Sequence, residues 1–88
     1  MTARLLLLGR PGCGLCEEMT AELYSRFGPS AFALEQADVD SRPDWHQRYG
    51  LKIPVLMAAD GAILCAVHLD VEAVEQFLGA AGETLAIR

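Results

Sequence analysis

Two cysteines separated by two residues, Cys13 and Cys16, lie between a run of four leucines and a segment with helical periodicity. The start of a helix has unpaired backbone N–H groups and the positive end of the helix dipole, which together stabilise a thiolate. This placement makes Cys13 the candidate nucleophile. Side chains at the spacing of Cys16 lie roughly 5–6 Å apart, close enough to form a disulfide after a small adjustment of the turn. The spacing therefore predicts a redox pair.

The same spacing also occurs in zinc sites, iron–sulfur centres and permanent disulfides. A tetrahedral metal site takes four ligands, usually as two closely spaced pairs, whereas the other candidates (Cys65, His46 and His68) are isolated along the chain. The position between strand and helix favours redox chemistry, with no metal, over a metal site or an inert bridge. For Cys65, burial as a small apolar residue is the ordinary interpretation, and a resolving or regulatory thiol is the alternative.

Composition limits the classes of protein that remain. The chain has 88 residues, 52% hydrophobic and 22% charged, which predicts one domain over residues 1–88. A net charge of −5 with seven dispersed basic residues argues against nucleic-acid binding. The leucine run is too short for a membrane span or a signal-peptide core, so we expect no membrane association and a cytoplasmic location. We expect a monomer whose partners are protein disulfides or small thiols.

Hydrophobic periodicity predicts the elements that position the pair. The apolar run over residues 4–8 predicts a buried strand, and apolar positions every three or four residues from Leu15 to Phe27 predict a helix that stops at Gly28. A looser alternation over residues 31–39 predicts a second strand, parallel to the first through a right-handed crossover. The cysteine pair thus follows the first strand of a βαβ unit.

The second half of the chain predicts a short helix, a hairpin and a final helix. The hairpin is indicated by two apolar runs joined by Asp60 and Gly61, and it makes the last two strands antiparallel. The short helix is capped by Ser41 or Arg42, starts near Pro43 and stops at Gly50. The strands of the hairpin cover residues 54–58 and 62–67. The final helix is capped by Asp70 and ends within residues 79–82.

This order of elements resembles the thioredoxin superfamily and, at this length, a glutaredoxin. The resemblance covers about residues 4 to 79. It implies an α/β, thioredoxin-like (glutaredoxin-type) three-layer fold, with a four-stranded mixed sheet in the order 2-1-3-4, strand 4 antiparallel, flanked by helices. The stretches that carry it are Arg10-Pro11-Gly12-Cys13-Gly14-Leu15-Cys16, Tyr49-Gly50 leading into Ile53-Pro54-Val55-Leu56, and Asp60-Gly61.

The resemblance implies a glutaredoxin-like dithiol thiol–disulfide oxidoreductase in which Cys13 attacks a substrate disulfide and Cys16 resolves the intermediate. It also implies a cis Ile53–Pro54 bond facing the cysteines, with the Ile53 backbone pairing with substrate, and an Arg10 that grips a glutathione carboxylate. From the residues alone, a trans proline and a solvated surface arginine remain open. The alternative function is a non-enzymatic redox-sensing or protein-interaction module on the same scaffold.

The chain departs from glutaredoxins that bind glutathione well, which carry Gly-Gly followed by Asp after the fourth strand. Here the stretch from Cys65 to Asp70 lacks both glycines, and the Val67 side chain would obstruct close backbone approach. Glu17 and Glu18 also oppose a second anion near the cysteines. Glutathione is thus a possible reductant, although these departures argue against tight binding, and we expect no bound cofactor.

Overall fold

The computed structural model describes the backbone of residues 3–86 and the side chains of residues 3–79. Within this part of the chain, no helix is long and apolar enough to cross a membrane. The elements follow one another in the predicted order: β1 (Ala3–Gly9), α1 (Gly14–Phe27), β2 (Phe32–Asp38), a 3-10 turn (Val39–Ser41), α2 (Pro43–Tyr49), β3 (Val55–Ala58), β4 (Ile63–Ala66) and α3 (Val71–Ala86).

The strands form one mixed sheet in the order β2-β1-β3-β4, which confirms the predicted topology. β1 and β2 are parallel, while β3 runs antiparallel to β1 and β4 antiparallel to β3. A parallel pair requires a crossover, and α1 supplies it. Leu8 near the end of β1 pairs with Val55 at the start of β3. The cysteine loop and the Ile53–Pro54 segment therefore lie at the same end of the sheet.

The leucine run of β1 is buried on both faces of the sheet, as a continuous apolar run predicts. Leu5 and Leu7, each 2% exposed, pack on the face covered by α1 and α3. Leu8 is fully buried and packs on the opposite face with Val39 and with residues of β3 and α2. Because both faces are covered, β1 holds the cysteine loop on a rigid support.

The residues predicted to start and end the helices lie at the observed helix termini. Gly28 ends α1 with a positive φ of 84° and donates its N–H to the Tyr24 carbonyl. Arg42 is the N-cap of α2, although its side chain makes no capping hydrogen bond, and Gly50 ends this helix. Asp70 caps α3 by accepting the Ala73 N–H at 3.1 Å.

Several predicted boundaries differ from the observed ones by one residue or more, and two of these differences have a clear physical reason. β2 ends at Asp38 and not at Val39, because the Asp38 carboxylate accepts the Asp40 N–H at 2.8 Å and turns the chain into the 3-10 turn. α3 continues to Ala86, past the end predicted within residues 79–82. A glycine inside a helix costs roughly 1 kcal/mol relative to alanine, which weakens the helix without ending it.

Candidate active site

Cys13 is the N-cap residue of α1. Its backbone is extended, with φ −83° and ψ 108°, and its Sγ accepts the backbone N–H of Cys16 at 3.2 Å. The sulfur thus occupies the position that a serine or aspartate oxygen takes in an ordinary N-cap. A thiolate formed here by reduction would receive this N–H bond and the positive end of the helix dipole. The sequence prediction of Cys13 as a sulfur at the helix start agrees with this geometry.

Cys16 is bonded to Cys13 in a disulfide, and the two Cα atoms are 5.2 Å apart. This separation lies within the usual range for disulfides, about 4.4–6.8 Å. Cys16 is buried, with 9% of its surface exposed, whereas Cys13 is half-buried. A substrate arriving from solvent can therefore reach the Cys13 sulfur more readily than the Cys16 sulfur.

Gly9, the last residue of β1, makes room for the buried sulfur. A Cβ atom at this position would lie 2.6 Å from Cys16 Sγ and 3.2 Å from Cys16 Cβ. Non-bonded atoms do not approach that closely, so a side chain here must displace the sulfur. This contact of Gly9 was not predicted from the sequence. A glycine between a buried strand and a cysteine motif was the available signal.

Arg10 is held by groups of its own chain. Its Nε and Nη2 donate to the two Asp40 carboxylate oxygens at 2.7 and 3.0 Å, and its Nη1 donates to the Gly50 carbonyl at 2.7 Å. The His46 Nδ1 lies 2.6 Å from the same carboxylate. Hydrogen bonds from Arg10 and His46 hold the pKa of Asp40 well below its usual value, and the bond to Asp40 raises the pKa of Arg10.

The Arg10 interaction ties the loop before the cysteines to the 3-10 turn and to the end of α2. Asp40 was absent from the sequence prediction, because a partner 30 positions away leaves no local pattern. A fork-shaped guanidinium that already bonds one carboxylate has few donors left for a second. Binding of a glutathione carboxylate by Arg10 remains a prediction. Such binding would require the Arg10 guanidinium to give up its hydrogen bonds to Asp40.

The Ile53–Pro54 bond is cis, as the resemblance implied. Pro54 is fully buried, and its carbonyl accepts the Val67 N–H at 2.7 Å. Ile53 is half-buried at the same end of the sheet as the cysteine loop. The pairing of the Ile53 backbone with a substrate strand remains a prediction.

The turn between β4 and α3 contains a residue with an unusual backbone conformation. Val67 has a φ of +68°, and His68 donates its N–H across it to the Ala66 carbonyl at 2.8 Å, which makes a tight γ-turn. Branched side chains rarely adopt positive φ, at a cost of roughly 1–3 kcal/mol. The resemblance to glutaredoxins implied that the Val67 side chain obstructs close backbone approach, but it did not predict this strain.

Cys65 is a free thiol buried in the core beneath α1 and α3. Burial raises the pKa of this thiol, so it is less reactive than an exposed cysteine. This agrees with the interpretation as a small apolar residue. His46 and His68 are both exposed. Among the described residues, no group of three or more His, Cys, Asp or Glu side chains is placed to hold a metal ion.

Two grooves flank the first turns of α1. A cavity of about 370 Å³ lies on the Arg10 side and is lined by residues that include both cysteines, Glu17 and Gln36. A smaller cavity of about 120 Å³ lies between α1 and the β4–α3 turn. Of these two grooves, the larger is lined by the cysteines themselves, and the smaller is lined by Leu15, the residue before Cys16.

A mixed four-stranded sheet with a disulfide at the start of its first helix and a cis proline at the start of its third strand defines a thioredoxin-like protein. The family model described as Glutaredoxin-like domain (DUF836) matches residues 4–79, and the chain belongs to this family.

Solved structures support the same assignment. The chain is similar to a Nitrosomonas europaea protein solved by NMR, with 30% identity and a TM-score of 0.74 over 88% of this chain and 92% of that one. An X. campestris protein solved by X-ray shares 26% identity, with a TM-score of 0.65 over 86% and 96% of the two chains. Thioredoxin 1 from Thermosipho africanus shares the fold at 13% identity, with a TM-score of 0.56 over 90% and 98%. No curated protein matches the chain significantly.

Proposed function

We propose that the protein is a dithiol thiol–disulfide oxidoreductase in which Cys13 is the nucleophile and Cys16 the resolving thiol. The observation that carries this proposal is the hydrogen bond from the Cys16 N–H to the Cys13 sulfur at the start of α1, combined with the burial of Cys16. The first feature stabilises a thiolate, and the second restricts attack to one of the two sulfurs.

The reaction takes two exchange steps. The Cys13 thiolate attacks one sulfur of a substrate disulfide, forming a mixed disulfide and releasing the other substrate sulfur as a thiolate. The Cys16 thiol then loses its proton and attacks the Cys13 sulfur, which releases the second substrate thiolate and forms the Cys13–Cys16 bond. Two electrons pass from the cysteine pair to the substrate, and an external dithiol must return them.

We assign protein disulfides as the main substrates and a protein dithiol as the reductant. The Arg10 guanidinium bonds Asp40 and Gly50, and Val67 occupies the turn where a close backbone approach would need glycine. Both features disfavour tight binding of glutathione. We also place the protein in a reducing compartment, in agreement with a cytoplasmic location, as a monomer.

Turnover is the decisive experiment. Catalytic amounts of the protein should reduce a model protein disulfide repeatedly with dithiothreitol as electron donor, well above the uncatalysed rate. A protein that is oxidised once and does not recycle would instead be a redox sensor, the alternative function on this scaffold. Replacing dithiothreitol with glutathione tests the reductant, and equally efficient turnover with glutathione would contradict that part of the proposal. Light scattering of the reduced protein tests the monomer.

A further inference from the structure

The smaller groove lies between the first turns of α1 and the β4–α3 turn, and it is lined by Leu15, the residue before Cys16. Its walls include Leu15, Val67 and Leu69, and Glu18 and Glu22 lie along its α1 side. Leu15 lies between the two cysteines in sequence and leaves 41% of its surface exposed. An apolar side chain at this level of exposure, next to a reactive sulfur, is available to a partner that reaches the sulfur.

The position of Val67 is fixed by two backbone hydrogen bonds. Its own N–H bonds the Pro54 carbonyl at 2.7 Å, and the His68 N–H bonds the Ala66 carbonyl at 2.8 Å. These bonds hold the Val67 side chain in the wall of the groove in spite of its unfavourable φ of +68°. The groove therefore has an apolar side chain fixed in its wall at the β4–α3 turn, next to the polar His68.

The size of the groove limits its occupant to one side chain. Its volume is about 120 Å³. Sites for whole small molecules usually measure about 300–1,000 Å³. A long single side chain of a larger partner fits this space better than a free tripeptide.

The charges around the groove determine whether a positively or a negatively charged side chain binds there more favourably. Glu18 forms no ion pair among the described residues, and Glu22 contacts only the exposed Arg26 at 3.4 Å. On the other side of α1, Glu17 lines the larger groove, where the Arg10 charge is compensated by Asp40. His68 also lines this groove, at the β4–α3 turn, so the negative charge lies on the α1 side alone. The α1 side is thus acidic next to the exposed Leu15, which complements a cationic side chain with an aliphatic stem.

We propose that this groove binds a lysine or arginine side chain of an extended protein substrate, next to the cysteine that Cys13 attacks. The aliphatic stem packs between Leu15 and Val67, while the charged end lies toward Glu18. The groove thereby makes the protein selective for disulfides in a basic sequence context. This inference rests on the proposed oxidoreductase function.

Selectivity is tested with three short peptides that differ only in the residue beside a single cysteine: lysine, leucine or glutamate. Each cysteine is joined to thionitrobenzoate, and the pre-reduced protein attacks it in a stopped-flow single turnover that releases the coloured thiolate. Rates are divided by the rate of each peptide with 2-mercaptoethanol, which removes differences in intrinsic reactivity. We expect the lysine peptide to react about fivefold faster than the glutamate peptide, and this ratio to fall with added salt.

Two variants test whether residues of the groove cause the preference for the lysine peptide. Glu18→Gln should reduce the lysine-to-glutamate ratio to about twofold, whereas the matched change Glu35→Gln on edge strand β2 should leave it unchanged. Leu15→Ala should slow both the lysine and the leucine peptide relative to 2-hydroxyethyl disulfide, a substrate without a side chain for the groove. Glu18 and Leu15 are exposed, so neither change threatens the fold.

The outcomes separate this inference from the function on which it rests. Equal normalised rates for all three peptides, or a lysine preference that survives Glu18→Gln, would overturn the groove assignment while leaving the oxidoreductase function intact. Failure to react with any peptide, in a protein whose Cys13 is still alkylated, would overturn both.

Discussion

The start of α1 and the turn between β4 and α3 lie on either side of one small groove, yet they differ in how closely they follow glutaredoxins. At the start of α1, the Cys13 sulfur caps the helix and bonds the Cys16 N–H. In the β4–α3 turn, Val67 has a strained positive φ of 68°, in a stretch that lacks the Gly-Gly expected of a glutathione-binding glutaredoxin. In the function proposed above, the first region exchanges electrons, and the second limits which molecules can approach.

This difference separates the chemistry of the site from its recognition of substrate. Thiol exchange depends on a few groups within one helical turn, so it is kept wherever the strand, the helix and the two cysteines are kept. Recognition depends on side chains that only the tertiary fold brings together, such as Leu15, Glu18 and Val67, which line the groove proposed to bind substrate. A family match therefore supports the reaction class more strongly than it supports the substrate.

The most direct test of the start of α1 is to replace Cys13 and Cys16 separately, because the two replacements should have different effects. Cys13→Ser should abolish disulfide reduction, a loss of at least about 100-fold, because the remaining thiols, Cys16 and Cys65, are both buried. Cys16→Ser should keep the first exchange and accumulate mixed disulfides, detected by mass spectrometry. Alkylation at limiting reagent should modify Cys13 first. Cys65→Ala is the control, and loss of activity in it, or preferential labelling of Cys65, would contradict the assignment.

The second region is tested by relieving the strain at Val67. Positive φ costs a residue with a Cβ atom roughly 1–2 kcal/mol, and glycine avoids this cost. Val67→Gly should therefore be more stable to chemical unfolding than Val67→Ala by about 1 kcal/mol, since both variants lose the same branched methyl groups. At a position with negative φ, alanine is more stable than glycine. If Val67→Ala is more stable than Val67→Gly, the backbone at position 67 is not strained.

A third test compares two glycines on either side of the cysteine loop. A Cβ at position 9 would meet the Cys16 sulfur at 2.6 Å, whereas a Cβ at Gly14 would meet no atom within 4 Å. Gly9→Ala should slow the resolving attack by Cys16 a few-fold, seen as a longer-lived mixed disulfide, while the alkylation rate of Cys13 is unchanged. Gly14→Ala should change neither rate. Equal behaviour of the two variants would mean that Cys16 tolerates displacement.

The topology of the fold could be predicted because its signals are local. The apolar run before the cysteines, the glycine that ends α1 and the Asp60–Gly61 turn each fix one element or connection, and the handedness of the crossover then leaves few arrangements. The end of α3 was missed because glycine lowers helix stability without forbidding a helix. Local signals thus give the order of the elements better than their ends.

The candidate site was only partly predictable for a related reason. The two cysteines and Pro54 belong to short motifs, and the structure brings their segments to one end of the sheet. The partners of Arg10 lie 30 and 40 positions along the chain, and no periodicity marks them. The role of Gly9 depends on the position of a buried sulfur, which only the packed structure determines.

The smallest effect we predict concerns Asp40, which links Arg10 to the rest of the site. The pKa of Asp40 is lowered in the folded protein by hydrogen bonds from Arg10 and then His46, so its ionised form stabilises the fold at neutral pH. This contribution is complete above the ordinary pKa of 3.8 and is lost as the pH falls from there toward the lowered value. Asp40→Asn should therefore be less stable than the unmodified protein at pH 7, and the difference should shrink below about pH 4.

Chemical unfolding at a series of pH values between neutral and about 2.5 measures this difference. Arg10→Gln removes the Asp40 contact from its other partner, so part of its stability loss should also disappear in acid, while the part due to the lost Gly50 hydrogen bond should remain. Arg26→Gln removes only a surface pair with Glu22 and should remain parallel to the unmodified protein. Because Asp40 is exposed to solvent, the stability effect is small, and the alkylation rate of Cys13 should be nearly unaffected. A large change in that rate would mean that the Arg10 guanidinium acts on the Cys13 thiolate directly.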